Sequence, residues 1–215
     1  MKTRNILIAV LAILLGIAVI LIILFAQTTK KEIDIKEEIK MEEQDFTKVI
    51  FERKSVRNYT EAAVEKEKLE KLMRAGMAAP SARNLQPWEF IAVTERSILD
   101  EMADGLPYCK MLTKAPAAII VCGNMEKAAT DVDKSYWVQD CAAASQNILL
   151  AAEATGLGAV WTAAFPYQER MDVVIKTLNL PEHIIPLNVI PVGYPTGKDK
   201  AKDKFKPENI HWEKW

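Results

Sequence analysis

Chemistry that needs clustered cysteine or histidine is the first to be excluded. The chain has only three cysteines, Cys109, Cys122 and Cys141, far apart and with no CxxC pair. That is neither a disulfide framework nor a zinc site, and the three read as small buried hydrophobes. There are two histidines, His183 and His211, with no HExxH pattern and no Ser/His/Asp constellation. Each reads as structural or solvated, so no catalytic acid, base or metal ligand is assigned. An excess of one charge is also missing: 28 basic and 29 acidic side chains leave a net charge of -1. With no basic aromatic patch either, a nucleic-acid partner is excluded.

What the chain does have begins at the N-terminus, where a flank of residues 1–5 precedes an uncharged apolar run, Ile6 to Ala26. At 1.5 Å per residue such a run is long enough for a bilayer core of ~30 Å, which predicts a transmembrane helix or uncleaved signal anchor over 6–26. It exceeds the h-region of a cleaved signal peptide, and neither an A-x-A site nor a lipidated cysteine follows. Lys2 and Arg4 before the run and Lys30, Lys31, Lys36 and Lys40 after it leave the orientation open. Residues 27–44 are charged and read as a solvated stalk. A domain of ordinary size then runs over 45–215, with Asp45 capping a helix that carries Phe46, Val49 and Ile50.

The spine of that domain is Ser135 to Pro166. From Tyr136 to Ala154 apolar or small residues fall on every face of a helix, which marks a core or interface element. Gly156 and Gly158 fit a helix end and tight connection before a buried strand, Ala159 to Ala164. Elsewhere the pattern predicts an amphipathic helix over Glu65 to Ala79, strands over Glu89 to Val93, Ala117 to Cys122 and Leu187 to Val192, and helices over Ser97 to Met102 and Tyr167 to Leu178.

Two stretches carry chemistry. In RKSVRNYT the cations Arg53, Lys54 and Arg57 bracket Ser55, a set suited to a phosphate because guanidinium and ammonium groups make strong charge-assisted bonds. A solvated basic helix end is the alternative reading. In PSARNLQPWEF, short polar side chains alternate with proline and small residues between two apolar elements. This suits recognition of a planar polar ring, or else an ordinary connecting loop.

Together with YWVQDCAAASQNILLAAEATGLGAVW and VIPVGYP, these blocks resemble the FMN-dependent nitroreductase family, in the right order and over essentially Asp45 to Trp215. The resemblance implies an α+β fold: a three-layer sandwich with a mixed central sheet, in a homodimer whose subunits exchange terminal segments and hold FMN at the interface. It implies that Arg53, Lys54, Ser55 and Arg57 bind the FMN phosphate and ribityl chain, with lysine replacing the common second arginine. Pro80, Ser81, Ala82, Asn84 and Gln86 would face the isoalloxazine ring, partly from the partner subunit. Trp161, Thr162, Ala163 and Ala164 would lie beside its reactive edge, and Lys204, or else Lys202, would reach the phosphate. The implied activity is ping-pong two-electron reduction of a nitroaromatic, quinone or similar acceptor by NADH or NADPH. That reductant favours the cytosolic face of the membrane. A halotyrosine dehalogenase-like flavoenzyme and a non-catalytic flavin-binding protein are the alternatives, and the short Thr94 to Ala117 segment counts against the first.

Overall fold

The computed structural model describes residues 16, 20–31, 46–128 and 133–215. Two compact units are present, Met1–Lys48 and Val49–Trp215. In the first, residues 20–31 are helical and exposed, and the Thr28 and Thr29 hydroxyls donate to the Leu24 and Phe25 carbonyls at 2.6 and 2.9 Å. This corrects the expected membrane span over 6–26, and with it the single-pass membrane location. Among the described residues no helix is long and apolar enough to cross a membrane. The rest of the apolar run, the stalk beyond residue 31 and the Asp45 cap lie outside the described residues.

The second unit contains, in chain order, α1 (Lys66–Met77), β1 (Trp88–Val93), α2 (Arg96–Gly105), β2 (Ala117–Asn124), α3 (Trp137–Ala154), β3 (Gly158–Ala159), β4 (Thr162–Ala163), α4 (Gln168–Leu178) and β5 (Ile184–Gly193). Short 3-10 turns complete the connections. β2 explains the layering. Every one of its residues is buried, and a strand apolar on both faces has to be covered on both. Ala117, Ile119 and Val121 pack with Leu69 and Leu72 of α1 and Cys141, Ala144 and Ile148 of α3. Ala118, Ile120 and Cys122 pack with Leu99 and Met102 of α2 and Met171 and Val174 of α4. The result is the expected α+β sandwich of three layers.

The strands run in the order β1-β2-β5-β3, with β4 also beside β5. Every pairing of these strands is antiparallel, which corrects the expected mixed sheet. The parallel contribution among the described residues is a lone bridge between Ser55 and Ala159. The next residue, Val56, is fully buried. The single strand expected over Ala159 to Ala164 is two short ones, which pair with β5 at Val192–Gly193 and at Asn188–Val189. The break between them falls opposite Ile190 and Pro191, and a proline has no N–H to offer a neighbouring strand.

Candidate functional site

The basic segment is held by its apolar residues. Val56 and Tyr59 are buried, while Arg57 and Asn58 between them are exposed. The Val56 N–H donates to Ala159 O at 3.0 Å, and the Thr60 N–H to Tyr194 O at 2.8 Å. The Tyr59 hydroxyl lies 2.6 Å from Val56 O and 3.1 Å from Pro191 O. Burial pushes this phenol well above its ordinary pKa, and Asp199 adds to the rise, so the hydroxyl stays protonated as a donor. Gly158 makes room for the segment: a Cβ there would lie 2.6 Å from Val56 Cγ1. The loop is thereby stitched to β3 at one end and to the chain after β5 at the other, with Arg57 exposed between the two anchors.

The C-terminal tail completes a cavity of about 580 Å³ lined by Arg53, Lys54, Ser55, Arg57 and residues 198–202 and 204. Seven basic side chains stand around it against one carboxylate, that of Asp199. Lys54 is the exception among the cations, because its Nζ lies 2.6 Å from Glu153 Oε1 on α3. Arg53, Arg57 and the four tail lysines form no ion pair among the described residues. Such a donor set fits a phosphate dianion, whose oxygens accept from guanidinium and ammonium groups.

A second cavity, of about 420 Å³, is lined by Pro80, Ser81 and Ala82 with Tyr136, Gln139, Asp140 and Ala143. The Ala82 N–H donates to Asp140 Oδ1 at 2.9 Å, and the Gln86 N–H to Ser81 Oγ at 3.0 Å. The Gln86 side-chain amide donates to Asn84 Oδ1 at 2.8 Å. Arg83, Asn84 and Gln86 have φ of 52°, 56° and 51°, positive values that side chains with a Cβ adopt at some cost, while Leu85 between them is right-handed at φ -73°.

Of the residues singled out in the sequence, Arg53, Lys54, Ser55, Arg57, Lys202 and Lys204 therefore come together. Pro80, Ser81 and Ala82 line a different cavity of the same chain, while Asn84 and Gln86 are bonded to each other. Trp161 to Ala164 line neither cavity. There Thr162 Oγ1 donates to Val189 O at 2.6 Å and lies 3.0 Å from the buried Cys109 thiol. Sequence reasoning missed Lys198, Asp199 and Lys200, although the alternating KDK pattern marks them as a charged tail. It also missed Asp140 and Glu153, because a helix with small residues on every face gave no sign of which carboxylate turns inward.

Fold and site together define a three-layer α+β sandwich with a basic cavity suited to an anion, and comparison narrows the class. The chain belongs to the nitroreductase family, whose model (Nitroreductase family) matches residues 50–106 and 103–194. It is 43% identical over 178 residues to the "Putative NADH dehydrogenase/NAD(P)H nitroreductase" of Methanothermobacter thermautotrophicus, covering 82% of this chain and 91% of the relative. A crystal structure bearing the same description, from Parabacteroides distasonis, is similar at 55% identity and a TM-score of 0.75, covering 79% of this chain and 98% of that one. An FMN-dependent nitroreductase from Clostridium difficile is similar at 28% identity and a TM-score of 0.69, covering 76% and 96%.

Proposed function

We infer that the protein is an FMN-dependent oxidoreductase that takes electrons from NADH or NADPH and passes them to an electron-poor acceptor such as a nitroaromatic or quinone. One observation carries the reading: residues 53–57 and 198–204, at opposite ends of the folded unit, meet around a single cavity rich in unpaired cations. Membership of the nitroreductase family supports it, as do relatives described as NAD(P)H nitroreductases and as FMN-dependent.

In this reading Arg53 and Arg57, with Lys202 and Lys204, hold the FMN phosphate, and Ser55 bonds the phosphate or ribityl chain. Lys54, through Glu153, fixes the loop and adds charge. Pro80, Ser81, Ala82, Asn84 and Gln86 serve the ring, partly from the partner subunit of a homodimer, consistent with Pro80, Ser81 and Ala82 lining a separate cavity within one chain. The exposed Phe205, Trp212 and Trp215 of the tail supply apolar surface for such a partner. Trp161, Thr162, Ala163 and Ala164 lie along the ring edge. The flavin-binding domain takes in 45–215. FMN supplies the hydride-transfer chemistry when bound, and the chain binds and orients it, with no side chain required as acid or base.

The test is the absorption spectrum of the purified full chain, supplied with FMN and then with NADPH under anaerobic conditions. Flavin bands that stay with the protein through gel filtration and bleach on NADPH addition are expected, with reoxidation on adding a nitroaromatic. Protein that takes up no FMN would overturn the reading, and bound FMN that stays oxidised would reduce it to flavin binding.

A further inference from the structure

Backbone pairing between the basic loop and the chain after β5 ends at Thr196, whose N–H donates to Asn58 O at 3.0 Å. Gly197 then takes a φ of 83°, which glycine adopts freely, and Asp199 follows two residues later. Its carboxylate accepts from the N–H groups of Arg57 and Asn58 at 3.1 and 3.2 Å, and from the Asn58 side-chain amide at 3.2 Å to each oxygen. Among the described residues no other hydrogen bond joins residues 197–204 to the loop. Residues 200–206 have no regular secondary structure, and their side chains are exposed.

A carboxylate among seven basic side chains should, on charge alone, weaken the binding of any anion there. Its bonding points the other way. The carboxylate is engaged by N–H groups of the loop, and the lysines on either side of it, Lys198 and Lys200, line the cavity with Lys202 and Lys204.

We propose that Asp199 is a positioning residue for the anion site: it clips the tail to the basic loop, and its loss weakens FMN binding although it removes a negative charge from the cavity. The inference rests on the flavin reading of this cavity. The tail lysines carry much of the site's positive charge on flexible stems. A tail free to move spreads that charge over solvent, and ordering it again on binding costs affinity.

The experiment uses the full chain and its Asp199→Ala and Asp199→Asn variants, with two measurements on each. Hydrogen exchange by mass spectrometry without flavin reads the clip, and FMN dissociation constants over a range of salt concentrations read the site. Asp199→Ala is expected to exchange faster over residues 56–60 and 196–204 and to bind FMN about tenfold more weakly. Its affinity should also depend less steeply on salt, because fewer lysines are engaged. Asp199→Asn keeps one acceptor oxygen and should fall between the variant and the parent. Unchanged exchange in Asp199→Ala would overturn the clip. Faster exchange with equal or tighter FMN binding would overturn the positioning role, leaving Asp199 as a simple opposing charge. A parent chain that takes up no FMN overturns the flavin reading instead, and the exchange data then decide the clip alone.

Discussion

Lys54 Nζ lies 2.6 Å from Glu153 Oε1, so the loop that carries the basic cluster is tied to α3 by a charge-assisted bond. The two side chains are 23% and 16% exposed, and removing one partner of such a pair leaves the other charge poorly solvated. Lys54→Ala is expected to lower stability by about 1–3 kcal/mol in urea unfolding. Its effect on FMN affinity should be smaller than that of Arg53→Ala. A variant as stable as the parent but equally impaired in flavin binding would place Lys54 on the ligand.

Arg53 has no ion-pair partner among the described residues and lines the cavity. Arg53→Ala should lower FMN affinity by roughly 2–3 kcal/mol while leaving the urea midpoint nearly unchanged. Quenching of flavin fluorescence on titration measures it. An unchanged affinity would remove Arg53 from the site.

Gly158 and Val56 share a space that admits no further carbon. A Cβ at 158 would meet Val56 Cγ1 at 2.6 Å and Val56 Cβ at 2.7 Å, so Gly158→Ala is expected to cost about 1–3 kcal/mol of stability through overpacking. Because Val56 anchors the basic loop, FMN affinity should fall as well. Adding Val56→Ala should restore part of the stability, a coupling that a double-mutant cycle reads directly.

The buried thiols make stability pH-dependent on the alkaline side. Burial pushes the Cys122 thiol up to about 12, with Glu89 adding to the rise; Cys141 and Cys109 are also raised, chiefly by burial. An unfolded thiol ionises near ~8.5. Above that value the unfolded state sheds protons that the folded state retains. The thiol contribution is thus fully present below ~8.5 and is lost as pH rises toward the folded values, at about 1.4 kcal/mol per pH unit for each thiol. The urea midpoint should fall from pH 8 to pH 10, less steeply in Cys122→Ala. A midpoint that does not move would mean that the thiols ionise within the folded protein.

Much of the architecture was legible because apolar spacing and burial have the same cause. The amphipathic helix expected over Glu65 to Ala79 is α1, with Leu69, Leu72 and Gly76 buried, and the small-residue run from Tyr136 became α3 beginning at Trp137. The direction of the strands was not legible, since a fully buried strand has the same composition whichever way its neighbours run. β5 was expected only from Leu187 but starts at Ile184. Pro186 masked its beginning, and the structure accommodates that proline beside a bulge at Val121/Cys122 of β2. The N-terminal expectation rested on an apolar run alone, and among the described residues no helix is long and apolar enough to cross a membrane.

The basic cluster was legible as a set of residues but not as half of a cavity. Arg53, Lys54 and Arg57 are neighbours in sequence, while their companions Lys198 and Lys200 lie in a tail whose many lysines look alike until Asp199 fixes their register. Nor does sequence distinguish a cation that stays free, such as Arg53, from one already matched, such as Lys54.

The stitching of residues 55–60 to residues 159 and 194–199 also sets an order of events during synthesis. The basic loop leaves the ribosome early, yet the partners that shape it come more than a hundred residues later. The α1 helix and the β1–β2 pair can assemble while the chain is still growing, since their contacts close over short stretches. The anion cavity has to wait until residues 198–204 have emerged. Nascent chains halted before Tyr194 would carry every cation of the loop and still lack the site.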